Sequence, residues 1–222
     1  MPTFGFSAFL KLISLNSRPQ KTEIRKRSLP SDSGYDFHRS LRRLAHRYIV
    51  DGAPFPEVLL EAEDVSRDSE RQSVKDGLEK LRSWRALNPG DVLHFDPAHF
   101  ESPAKNFKVQ YLPNFGIELD GSKVAIHVWN TAVPILDARM TYAVLTLLPD
   151  AYTEHDVHPD DFAVLSLPDS RLYRLSDVNF DEYAEIGRRV LRRLDDIFEE
   201  IRKDPARPAT PPKRRSPPPP SP

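Results

Sequence analysis

Apolar residues recur at helical intervals in the first half of this chain and at alternating intervals in the second. Phe37, Leu41, Leu44 and Tyr48 fall at helical spacing, with a start signal at Ser33–Asp36 and a stop at Asp51–Gly52. Pro56 suits the first turn of a short second helix running to about Val65. Ser69 with Gln72 forms a capping-box pattern for a third helix to about Leu87, and Asn88–Pro89–Gly90 ends it. Before these, Phe4, Phe6, Phe9, Leu10, Ile13 and Leu15 form an apolar start without a single period, which predicts a helix or strand docked on the domain.

Strand patterns follow. Val92–Phe95 is a short candidate; Phe107, Val109 and Tyr111 alternate with polar residues, and so do Ile117 and Leu119. Asp120–Gly121 predicts a tight hairpin turn into Lys123–Trp129. There Val124, Ile126 and Val128 share one face, and Ala125, His127 and Trp129 the other. The spacing thus predicts a β-hairpin over Phe107–Asn130. Ile135–Leu148, with two charges, predicts a buried helix. Phe162–Leu167 and Arg171–Leu175 predict strands about a Pro168–Ser170 turn, and Phe180–Lys203 a long closing helix. The fold class expected is mixed α/β: a central mixed sheet with a central hairpin, about three helices before it and a long helix after it.

At 222 residues the chain suffices for one sizeable core. Three segments are expected: an apolar-then-basic arm over 1–32, a single α/β domain over 33–203, and a Pro-rich basic tail over 204–222 that favours extended conformations. The absence of cysteine excludes disulfides, zinc–cysteine sites and a cysteine nucleophile. No stretch has the length of a membrane span, and the basic cluster follows the apolar start instead of preceding it, so a cytoplasmic protein without a signal peptide is expected.

Charge is partitioned. Residues 1–30 carry six Lys/Arg against one acid and residues 203–222 five against one, so with a total of −1 the stretch between them carries about −10. An acidic core disfavours a broad nucleic-acid surface and leaves nucleic acid to the basic arms. The basic candidates are Arg39, Arg42, Arg43 and Arg47 on the first predicted helix and Lys213, Arg214 and Arg215 in the tail, able to meet phosphate or the acids of a protein partner.

The order helix, three strands, helix, strand over Ser69–Leu167 resembles the restriction-endonuclease-like fold, the PD-(D/E)XK family. That resemblance implies an acid on the second strand and an acid–any–lysine triplet on the third, which together gather a divalent metal and polarise water. Glu118 or Asp120 matches the second-strand acid, while His127 stands where the triplet's acid belongs and Trp129 where its lysine belongs. Tryptophan supplies neither charge nor base, and imidazole prefers softer ions than Mg²⁺. If a site exists it consists of Glu118, Asp120 and His127; no catalytic set, metal or cofactor is expected.

Other constellations are less specific. His94, Asp96 and His99 lie close together, as do His155, Asp156, His158, Asp160 and Asp161, and both read as solvated polar segments. Ser166 lacks the glycines of a nucleophile elbow, and no glycine-rich phosphate loop is present. The expectation is a non-catalytic interaction or regulatory protein with a protein partner or a second copy of itself. The alternatives are a nucleic-acid-associated protein with a degenerate nuclease-like core, or an enzyme of unidentified hydrolytic chemistry.

Overall fold

The computed structural model describes residues 1–28 and 37–203. The chain starts with strand β1 (Thr3–Gly5) and helix α1 (Phe6–Ile13), followed by α2 (Ser17–Ser28). This apolar start is part of the core: Phe4, Phe6, Phe9 and Leu10 are buried. Phe4 meets the ring edges of Phe107 at 5.7 Å and Phe198 at 6.2 Å, tying the first residues to the closing helix. Its mixed periodicity reflects a strand that passes directly into a helix at Gly5–Phe6.

Three helices follow as expected: α3 (Arg39–Ile49), α4 (Phe55–Glu61) and α5 (Asp68–Leu87). Helix α3 buries Leu41, Leu44, Ala45 and Ile49 and turns its arginines outward, as its period requires. The start signal at Ser33–Asp36 lies outside the described residues. Pro56 occupies the first turn of α4. Helix α5 begins at Asp68, one residue before the predicted capping serine, and its flanking Arg67 makes no side-chain cap.

The strands divide into two sheets. In the larger, β2 (Val92–Leu93), β5 (Phe115–Leu119), β6 (Ser122–Trp129), β7 (Asp161–Ser166) and β8 (Arg171–Arg174) lie in that order. Only the β6–β7 pair is parallel. The crossover between those two carries α6 (Ala138–Leu145), capped by the Asp137 carboxylate accepting from Met140 N–H at 2.9 Å, and α7 (Leu148–Ala151). The smaller sheet places β4 (Lys108–Tyr111) between β1, parallel to it, and β3 (Ala98–Glu101), antiparallel. Helix α8 (Phe180–Lys203) closes the chain as predicted.

The mixed α/β class with a hairpin and a closing helix is therefore present, with one difference. The hairpin is β5–β6 alone; β4 leaves it for the second sheet. Pro113 lacks the N–H needed to continue a ladder, and Asn114 takes over, its side-chain Oδ1 accepting from Val128 N–H at 2.7 Å while its backbone N–H donates to Ile126 O at 2.8 Å. The expected helix Ile135–Leu148 is also shorter: α6 ends at Leu145, and α7 begins at Leu148, one residue before Pro149.

Strand β6 separates two apolar layers. Val124, Ile126 and Val128 face the α3–α5 side, and Ala125 and Trp129 pack with α1, α6 and α8. The predicted alternation is reproduced, with Asp120 (φ 53°) and Gly121 (φ 77°) forming the turn that sets its register.

Candidate functional site

A concave feature lies beside α3. Because α3 buries one stripe, Arg39, Arg42, Arg43, His46 and Arg47 are left along a face that borders a cleft of about 510 Å³. The opposite wall comes from the end of β2 (Leu93, His94, Phe95) and the Leu112–Phe115 bend between β4 and β5. Phe95 and Phe115 are buried beneath it, whereas Leu112 is 53% exposed.

Two of the arginines are held by one carboxylate. Glu61 of α4 pairs with Arg43 at 3.1 Å and with Arg47. One acid thus spaces two guanidinium groups and leaves a net positive charge on that wall. His46 lies 3.4 Å from Asp51, and His94 3.7 Å from Asp96. Arg39 is solvent-exposed at the first turn of the helix. A row of cations beside a partly apolar wall suits an anionic ligand.

Behind the cleft, sharing Arg42 and Asn114 with it, is a cavity of about 10 Å³ bordered also by Ser7, Asn130 and Thr131. That is room for about one water molecule. Its polar groups are mostly engaged in bonds that join separate elements: Thr131 Oγ1 lies 3.0 Å from His38 Nε2, and Asn130 Nδ2 donates to Ser73 O at 3.2 Å.

Glu118, Asp120 and His127 are not brought together. Glu118 pairs across the hairpin with Lys123, four residues from His127 along β6, or ~13 Å of extended chain. Asp120 sits in the exposed turn, 3.1 Å from Arg174 Nη1. His127 is 4% exposed beneath α1, its Nε2 2.7 Å from Ser7 Oγ, with the Phe6 ring edge-on at 5.0 Å. Burial holds its imidazole down at about 4, and the nearby Arg42 charge adds to the effect. The Leu112 backbone works in the opposite direction, yet Nδ1 has no hydrogen-bond partner among the described residues. Trp129 is buried as well. Among the described residues, no group of three His, Asp or Glu side chains is placed to hold a metal ion.

The remaining polar clusters have structural partners. Asp161 is buried, accepting from Arg174 Nε at 2.9 Å and Ser176 Oγ at 2.7 Å, which closes the end of β7 onto β8. Asp160 accepts from Lys123 N–H at 2.8 Å. His94 and Asp96 are largely exposed. Lys213, Arg214 and Arg215 lie outside the described residues.

Sequence pattern does not single out Ser7 or Asn114. Ser7 is embedded in an apolar stretch, and Asn114 follows a proline in what reads as a turn. The α3 arginines are legible as a basic helical face, but the wall opposite them comes from segments about 50 to 70 residues later. Among the described residues no helix is long and apolar enough to cross a membrane. The chain matches no family model and no curated protein sequence.

Proposed function

We propose that this chain is a non-catalytic binding module that holds a nucleic acid by its phosphates in the cleft beside α3. The observation that carries the reading is the convergence of Arg39, Arg42, Arg43 and Arg47 on one cleft, on a segment that is otherwise acidic. Guanidinium groups offer planar, forked donors that match phosphate oxygens. An acidic surround confines favourable binding to that cleft and the basic arms, since steering follows the summed field.

The nuclease-like resemblance supports the same reading with its chemistry removed. Followed through the five-stranded sheet alone, the chain runs α5, then β2, β5 and β6, then α6, then β7. Counting that sheet alone leaves out β3 and β4, which belong to the smaller sheet. At the β5 edge the residue that meets 126–128 of β6 is Asn114. A carboxamide there, beside Val128, provides no carboxylate pair for Mg²⁺ and no lysine. Binding without cleavage is what these side chains support.

The test is fluorescence anisotropy of the full chain with a labelled oligonucleotide, titrated between about 50 and 200 mM salt. Affinity should fall steeply with salt, and R39E combined with R43Q should weaken it without lowering the melting temperature. Salt-insensitive binding, or binding lost only when Lys213, Arg214 and Arg215 are changed to Gln, would overturn the cleft assignment.

A further inference from the structure

We infer that the α3 cleft takes a single strand and not a duplex, with phosphates along α3 and bases toward the opposite wall; this rests on the reading of the cleft as a phosphate-binding site. Arg39, Arg43 and Arg47 recur every fourth residue, so they form one row along the helix with steps of ~6 Å. That step is comparable to the separation of successive phosphates in an extended strand. With Glu61 paired to both Arg43 and Arg47, the three-arginine row keeps a net positive charge and a spacing that can engage consecutive phosphates of one chain.

The wall facing them differs in kind. Leu112 is 53% exposed there, Pro113 adjoins it, and the His94 imidazole is 79% exposed. These groups present apolar and planar surface where unstacked bases would lie. A basic wall opposite an apolar and planar one fits a strand whose phosphates and bases point in opposite directions. It does not fit a duplex, whose bases are turned inward against each other.

Shape and charge lead to the same choice. Duplex readers insert a protruding helix or ribbon into a groove ~12 Å wide. Here α3 is instead one wall of a concavity, and a volume of about 510 Å³ holds a short stretch of one strand. The acidic remainder of the domain would also repel a duplex more, because a duplex carries one charge per ~1.7 Å of axis against ~3.4 Å for each strand.

The experiment compares three probes on the full chain by anisotropy at fixed salt: a mixed-sequence single strand, the same sequence as a duplex, and an abasic strand of equal length. The single strand should bind at least about tenfold tighter than either other probe. H94A and L112S should each lower single-strand affinity several-fold while leaving the salt slope unchanged, since neither touches phosphate. A duplex that binds as tightly as the single strand, in an Arg39-dependent way, overturns this inference and leaves the phosphate reading standing. An abasic strand that binds as tightly as the mixed one overturns the placement of bases on the second wall. Failure of all three probes to bind overturns both the inference and the reading it rests on.

Discussion

Ser7 Oγ lies 2.7 Å from His127 Nε2, joining the first helix to the centre of the large sheet across 120 residues of chain. The bond explains how a histidine is accommodated on an apolar face of β6. One ring nitrogen is satisfied by a hydroxyl from α1, while burial keeps the ring neutral. Neither Glu118 nor Asp120 approaches it: Glu118 pairs with Lys123 across the hairpin and Asp120 lies by Arg174 in the exposed turn.

This pairing has a pH signature. The folded-state value of His127, about 4, lies below its ordinary 6.5, so the unfolded chain binds the proton first. The neutral buried ring costs nothing extra above about pH 6.5, and stability falls as pH drops through the window between 6.5 and 4. The loss attributable to His127 should be about 2 kcal/mol between about pH 7 and pH 5. Urea unfolding of the wild type and H127Q at both pH values checks this, and an equally steep loss in H127Q would show that the dependence comes from other groups.

Helix α8 approaches α6 closely at Gly187. A Cβ there would lie 2.5 Å from the Ala143 carbonyl oxygen and 3.2 Å from Thr146 Oγ1. In an exposed helix, Gly to Ala is favourable by ~1 kcal/mol. Here the clash with backbone dominates, and G187A should lose about 1–3 kcal/mol. Thermal unfolding should show a lower midpoint for G187A and little change for G5A, whose added Cβ meets nothing within 4 Å. A raised midpoint for G187A would contradict the observed α6–α8 packing.

Asp161 links β7, β8 and the turn after them. It is 4% exposed and accepts from Arg174 Nε, Ser176 Oγ and Ser176 N–H, while Arg174 also reaches Asp120. D161A removes the acceptor and leaves a largely buried guanidinium with only the exposed Asp120 as a carboxylate partner. The expected cost is on the order of 2–4 kcal/mol, read as a lower urea midpoint. D161N, which keeps the size and one acceptor, should cost less; equal losses would mean that shape and not charge is what matters there.

Several elements were readable directly from residue patterns because their causes are local. The Asp120–Gly121 turn is one, since two residues at positive φ specify a hairpin. Helix α8 is another, since Val190, Leu194, Ile197 and Phe198 repeat along one buried stripe. The arginine face of α3 is legible for the same reason, because burying Leu41, Leu44 and Ile49 forces the charged residues outward. Even the alternation of β6 follows from period two, including His127 on the Trp129 side.

Other features were decided only when distant segments met. Strand β4 looks like part of the hairpin, but its edge is taken by β1 from the first five residues, a partner that no local pattern specifies. Strand β3, with His99 and Glu101 in a segment flanked by prolines, becomes a strand only because β4 offers its ladder. The candidate site follows the same rule. The sequence by itself determined a basic helical face, a hairpin and the absence of an acid–lysine triplet on it, because these depend on residue type and short-range periodicity. Only the tertiary structure decided that His127 lies beneath α1, that Asn114 meets the end of β6, and that the α3 arginines face Leu112 and His94 across one cleft, because long-range pairing brings together residues that no local spacing relates.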